Sequence, residues 1–121
     1  MKKKIMLIDD KPSIAKVVSV YLSQDYDFVY FEHPLKAIEW LQGGEFPDLI
    51  ITDIRMPEMS GGEFLHYMKH NALFSSIPIM MLSGEDSATE RIRLLDEGAV
   101  DYILKPFNPL ELKVRIKKIL D

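Results

Sequence analysis

Apolar residues recur along this chain in two alternating rhythms. Five short runs are apolar almost without interruption: Lys4-Ile5-Met6-Leu7-Ile8, Phe28-Val29-Tyr30-Phe31, Asp48-Leu49-Ile50-Ile51-Thr52, Pro78-Ile79-Met80-Met81-Leu82 and Asp101-Tyr102-Ile103-Leu104. Strands read this way when both faces of a parallel sheet are covered. Between the runs, apolar positions are spaced by three and four: Ile14, Val17, Val18, Tyr21 and Leu22, then Ala37, Ile38 and Leu41, then Phe64, Leu65 and Met68. Ala88, Ile92 and Leu95 follow, and Leu112, Ile116, Ile119 and Leu120 close the chain. This spacing predicts five helices, each turning one apolar stripe to a sheet. Start and stop residues agree. Pro12 stands at a first helical position, Ser60 with Glu63 and Ser87 with Glu90 have the spacing of capping boxes, and Asn108-Pro109 opens the last helix. Gly43-Gly44 and Gly98 fall where helices stop.

The expected fold is α/β, a (βα)5 chain forming a doubly wound open parallel sheet. Parallel strands joined by helices cross over right-handed, so all five run one way and their carboxyl ends share an edge. Open sheets place their sites at that edge. No repeat, low-complexity stretch or linker interrupts the chain, and the expected domain is 1–121. With 47% hydrophobic residues, one core of this size buries roughly two thirds of the unfolded surface and needs no staple. The absence of cysteine removes disulfides, Cys-type zinc sites and thiol catalysis. A net charge of −4 weighs against binding nucleic acid or an anionic membrane through bulk electrostatics. No apolar run approaches the ~20 residues of a membrane span. Met1-Lys2-Lys3-Lys4 begins like a signal peptide, but the apolar run behind it stops at two aspartates. The expected location is the cytoplasm.

Candidate chemistry lies directly after the strands. Asp9 and Asp10 follow the first, Asp53 the third, Ser83 the fourth, and Lys105-Pro106 the fifth. Three converging carboxylates repel one another unless a cation sits among them. An all-oxygen set without His or Cys favours a hard divalent ion, and the expected one is Mg²⁺. A lysine and a small hydroxyl beside such a cluster suit an anion, in particular a phosphoryl group, and an ionised aspartate there can act as its nucleophile. Taken singly, each residue has an ordinary reading: an Asp caps a helix, Ser83 makes a turn, Lys105 is a solvated charge. The combination, at four of five strand ends, is what points to one reaction.

Four segments carry a resemblance: Leu7-Ile8-Asp9-Asp10, Asp53-Ile54-Arg55-Met56-Pro57-Glu58-Met59-Ser60-Gly61, Met81-Leu82-Ser83-Gly84 and Asp101-Tyr102-Ile103-Leu104-Lys105-Pro106-Phe107. On them the chain resembles, over essentially its whole length, a two-component response-regulator receiver domain of the CheY-like superfamily. The resemblance implies strand order 2-1-3-4-5, flavodoxin-like, with Asp53 deep in the cleft. It implies that Asp53 accepts a phosphoryl group from the phosphohistidine of a sensor histidine kinase. Asp10, Asp53 and the main-chain carbonyl of Arg55 would bind Mg²⁺, Asp9 acting largely through a bound water, and Lys105 and Ser83 would hold the phosphoryl oxygens. A cis Lys105-Pro106 bond is also implied. Ser60 departs from the Asp that many relatives carry there, but it can still cap the helix.

Phosphorylation would exchange one negative charge for about two and draw the Ser83 hydroxyl inward. By resemblance, Tyr102 then moves from an exposed to an inward position, and the surface of the fourth helix, fifth strand and fifth helix is remodelled. Read alone, Tyr102 is an aromatic packed at a strand edge. Arg55 and Glu85, each two residues beyond a site residue, are expected to flank the mouth and pair across it, hindering the water that attacks the acyl phosphate. Arg91, Asp101, Glu111 and Arg115 resemble the charged set of receivers in the winged-helix transcription-factor subfamily, which implies a phosphorylation-dependent homodimer pairing Arg91 with Glu111 and Asp101 with Arg115 across a two-fold axis. Val100 stands where that subfamily is often acidic. Three rivals are a haloacid dehalogenase-like phosphohydrolase, a flavodoxin-like binding protein, and a receiver acting as an unphosphorylated scaffold. The first lacks the Asp-x-Asp pair after the first strand and a substrate cap, and the second meets acid in Asp9-Asp10-Lys11-Pro12 where a flavin phosphate needs amides. The intact site argues against the third. The signalling switch leads; the organism, the stimulus and any effector beyond Asp121 stay open.

Overall fold

The structure is a computed structural model that describes residues 2–121. Strands and helices alternate: β1 (Lys4–Ile8), α1 (Pro12–Leu22), β2 (Asp27–Phe31), α2 (Pro34–Gln42), β3 (Leu49–Asp53), α3 (Gly61–Lys69), β4 (Ile79–Ser83), α4 (Ala88–Asp96), β5 (Asp101–Leu104) and α5 (Pro109–Leu120). The strands form one parallel sheet in the order β2-β1-β3-β4-β5. The order expected from the resemblance is the order observed.

The continuous apolar runs are continuous because neighbouring residues serve opposite faces. Met6, Ile8, Ile50, Ile79 and Met81 pack with α2, α3 and Leu94 of α4, while Ile5, Leu7, Leu49, Ile51, Met80, Leu82 and Ile103 pack with α1 and α5. Every residue of β3 and β4 is buried, the condition under which a strand loses its polar alternation. The period of two decides what reaches the site. Carried to the last residue of β3 and β4 and one residue beyond β1 and β5, the alternation puts Asp9, Asp53 and Lys105 on the α1/α5 face and Ser83, with Tyr102, on the α3/α4 face.

Most helix signals act as read. Pro12 is the first residue of α1, Gly43 caps α2, and Gly98 follows α4 with φ +115°, which a glycine adopts without a Cβ penalty. Ser60 and Glu63 close a complete capping box at 3.1 and 2.9 Å. Two expectations need correction. The α4 stripe of Ala88, Ile92 and Leu95 does not face the sheet: Ile92 is 65% exposed, while Leu94, outside the stripe, is fully buried. The helix docks through Leu94, with Glu90 and Arg91 half-buried, so its other branched residues look outward. Ser87 with Glu90 forms half a box only: the Ser87 hydroxyl accepts from the Glu90 amide at 3.2 Å, but the Glu90 carboxylate is engaged elsewhere. Among the described residues no helix is long and apolar enough to cross a membrane.

Candidate functional site

β1 and β3 are neighbours with Ile8 opposite Thr52, so Asp9 and Asp53 emerge side by side at the carboxyl edge. Both are buried. β5 brings the third group. Its last residue, Leu104, lies opposite Ser83, and the Lys105 amide then donates to the Ser83 carbonyl at 2.6 Å, ahead of a cis Lys105-Pro106 bond. From there Lys105 Nζ reaches Asp9 Oδ2 at 2.8 Å and Asp53 Oδ1 at 3.2 Å. Asp9 Oδ1 accepts from the Lys11 amide at 2.9 Å, and Asp53 Oδ1 accepts from the Ile54 amide at 2.9 Å. Asp53 Oδ2 is buried without a hydrogen-bond donor. The approach of α3 is equally close: a Cβ on Gly61 would lie 2.2 Å from the Asp53 carbonyl oxygen, so only glycine lets this helix start there.

Asp10 completes the acidic group. One carboxylate oxygen each from Asp9, Asp10 and Asp53 lie within 4.8 Å of one another, the one such cluster of three or more His, Cys, Asp or Glu among the described residues. Burial pushes the Asp53 carboxyl above its ordinary value; Lys105 pulls it back, Asp9 pushes it further up, and the Ile54 amide opposes both. Lys105 offsets one of the three negative charges. Lys11, exposed, adds a second ammonium 3.5 Å from Asp10 and 3.9 Å from Asp53 Oδ2, too far to satisfy that oxygen by a hydrogen bond. The acids push the Lys11 ammonium above its usual range, Asp10 most and Asp53 next. A hard divalent cation fits this set. It would find only oxygen ligands, more negative charge than the Lys105 ammonium offsets, and an orphaned buried carboxylate oxygen.

The other face of the sheet holds a separate set. The Ser83 hydroxyl is turned to its own loop, donating to the Glu85 carbonyl at 3.0 Å and accepting from the Glu85 amide at 3.1 Å. It makes no hydrogen bond to Asp53. Tyr102 is buried, and its hydroxyl reaches Glu90 Oε1 at 3.2 Å and the Glu85 carbonyl at 3.3 Å. Arg55 and Glu85 meet at 2.9 Å on the exposed rim, and Arg55 also lies 3.5 Å from Glu90. On the outer face, charges pair within the chain: Arg115 with Asp101 at 3.0 Å and with Glu111 at 3.4 Å, and Arg91 with Asp86 at 3.6 Å.

Three contributors escaped the sequence reading. Lys11 had a signal, since it directly follows the acid pair. Glu90 was read only as a cap residue. Tyr30 was read as part of an apolar run, yet its hydroxyl donates to the Asp9 carbonyl at 2.6 Å and so fixes the backbone that carries two of the acids.

Residues 5–117 match the family described as response regulator receiver domain. The sensor histidine kinase TmoS of Ectopseudomonas mendocina is 35% identical over 117 residues, which are 97% of this chain and 12% of that protein. The phosphate regulon transcriptional regulatory protein PhoB of Escherichia coli (strain K12) is 35% identical over 121 residues, 99% of this chain and 52% of that protein. The chain therefore spans about half of one curated relative and a small part of the other. Among solved structures, the chemotaxis response regulator CheY4 of Vibrio cholerae superposes with a TM-score of 0.90 at 30% identity, covering 99% of this chain and 100% of that one.

Proposed function

This chain belongs to the family of response regulator receiver domains, signalling modules rather than turnover enzymes, and we propose that Asp53 is its phosphoacceptor. The observation that carries the reading is Asp53 itself: a buried carboxylate, one oxygen without a donor, gripped by Lys105 and crowded by Asp9 and Asp10. The carboxylate attacks phosphorus, and the bond from phosphorus to the imidazole nitrogen of a sensor kinase phosphohistidine breaks. Positioning and charge neutralisation supply most of the rate in such transfers. Lys105 is placed to meet the oxygens of the incoming group. Asp9, Asp10 and Asp53, with the Arg55 carbonyl, would hold Mg²⁺, which when bound neutralises charge between the acids and the phosphoryl oxygens.

Ser83 acts after transfer. Its hydroxyl has to exchange its two contacts with Glu85 for a phosphoryl oxygen, and that exchange couples Asp53 to the loop beside Tyr102. The Arg55–Glu85 pair stands across the rim and slows the water that hydrolyses the acyl phosphate. Homodimerisation through α4, β5 and α5 requires Asp101, Glu111 and Arg115 to trade their present partners for those of a second copy, with exposed Ile92 and Leu95 as the apolar centre. The site of action is the cytoplasm, where the kinase donor resides, and this segment binds neither nucleic acid nor membrane.

The test is incubation with Mg²⁺ and acetyl phosphate, followed by intact mass. A single phosphoryl adduct that disappears with EDTA and in Asp53→Asn is expected. An adduct that persists in Asp53→Asn overturns the reading.

A further inference from the structure

Glu90 sits three residues after the α4 cap Ser87, where a glutamate normally folds back to the cap amide. α3 shows the normal case, with both limbs of its box made. In α4 the backbone limb is made and the carboxylate limb is not. The Glu90 carboxylate divides instead between two side chains from other elements: Oε1 accepts from the Tyr102 hydroxyl at 3.2 Å, and Oε2 lies 3.5 Å from Arg55 Nη2. Its side chain is only 15% exposed, so it is largely withdrawn from water and depends on these partners. A buried phenol needs an acceptor, and a carboxylate is a stronger one than the Glu85 carbonyl that it supplements. Arg55 meanwhile is shared between Glu90 and Glu85 and lies two residues beyond Asp53. A continuous path thus runs from the loop after β3, through α4, to β5. Each contact in it uses groups of the chain alone, so the hold on Tyr102 requires no phosphoryl oxygen.

We propose that Glu90 is a positioning residue for the switch, holding Tyr102 inward before Asp53 is phosphorylated and making that hold answer, through Arg55, to the mouth of the acidic site. The inference rests on the reading of Asp53 as acceptor only for its second half; the hold on Tyr102 stands without it. Its consequence is an output face already biased towards the inward arrangement, with phosphorylation completing a shift that Glu90 has begun.

The experiment uses the whole chain labelled with 3-fluorotyrosine, its Tyr102 ¹⁹F resonance assigned through Tyr102→Phe. Without Mg²⁺ or phosphodonor, Glu90→Ala is expected to lower the inward-to-outward ratio of Tyr102 by about tenfold, the loss of one hydrogen bond to a charged acceptor. Glu90→Gln, which keeps an acceptor oxygen, restores most of the inward population. Thr89→Ala, one residue away on the exposed side of the same turn, leaves it unchanged. Mg²⁺ with acetyl phosphate returns Tyr102 inward in Glu90→Ala. The Ser87 hydroxyl still accepts from the backbone amide of residue 90 in every variant, so the helix start is preserved. An unmoved Tyr102 resonance in Glu90→Ala, or an equal shift in Thr89→Ala, overturns the proposal. Intact mass after acetyl phosphate, taken on the same samples, reports separately on Asp53: loss of the adduct throughout overturns the acceptor reading and leaves the donor-free comparison standing.

Discussion

Replacing Asp53 by Asn removes one negative charge from the most crowded point of the molecule while keeping its shape. At an effective dielectric of about 20, each carboxylate within 4.8 Å repels Asp53 by about 3.5 kcal/mol, and the Lys105 ammonium at 3.2 Å attracts it by about 5 kcal/mol. Two repulsions slightly outweigh one attraction, and exposed Lys11 at 3.9 Å returns only about 1 kcal/mol through water. An amide Nδ2 in place of the orphaned Oδ2 also gains acid oxygens to donate to. Asp53→Asn should therefore be more stable than the parent in EDTA, by about 1–2 kcal/mol in a urea melt at neutral pH. Mg²⁺ should reverse the order. At a hundred times its dissociation constant it stabilises the parent by about 2.7 kcal/mol, and the variant, one ligand short, by clearly less. The pH dependence has a definite sign. Burial holds the Asp53 carboxyl above 3.8, so in EDTA the folded chain binds more protons there than the unfolded one, and stability falls as pH rises from 3.8 through the folded value. Asp53→Asn lacks that fall. A variant no more stable than the parent in EDTA, or one that Mg²⁺ stabilises equally, refutes the electrostatic account of the site.

Lys105→Met strips the ammonium from two buried carboxylates at 2.8 and 3.2 Å and should cost about 3–5 kcal/mol in EDTA; combined with Asp53→Asn it should cost distinctly less, and strict additivity would contradict the contact. In α4, Leu94→Ala should lose about 2–5 kcal/mol and Ile92→Ala no more than about 0.5 kcal/mol by chemical denaturation, since only Leu94 is buried. Arg55→Ala should speed loss of the phosphoryl adduct about three- to tenfold while costing no more than about 1 kcal/mol of stability, since its pair with Glu85 is exposed and its contact with the shielded Glu90 carboxylate is long. Burial, with help from Glu32 and Asp9, pushes the Tyr30 hydroxyl up to about 12 from 10.0; the contribution it makes is intact below pH 10.0 and lost as pH rises towards 12, and Tyr30→Phe should flatten that alkaline fall in pH-dependent melts.

The acids, the lysine and the sheet edge were legible because strand and site obey one rule. A strand buried on both faces is apolar until it reaches the edge, so the first charged residue after each run marks where the chain meets solvent or a ligand. Even the errors of boundary follow from it. The third and fourth runs read as ending at Thr52 and Leu82, yet Asp53 and Ser83 still belong to the strands. They are polar residues that keep their place in the sheet at its carboxyl edge, where the candidate site lies. What was not legible lies in α4. Its apolar spacing and its cap pair each had an inward-facing, self-contained reading, and both readings failed in the same helix. Ile92 and Leu95 look outward, and Glu90 leaves its own cap for Tyr102 and Arg55. Local rules assume that an element satisfies its own groups and hides its own apolar face. α3, which only has to bring its start against Asp53, obeys them completely. α4 breaks two of them, and both departures put groups where they can be contested: a carboxylate between two side chains, and an apolar face without a cover. A helix held this loosely by its own rules is the element that a change at Asp53 can most readily move.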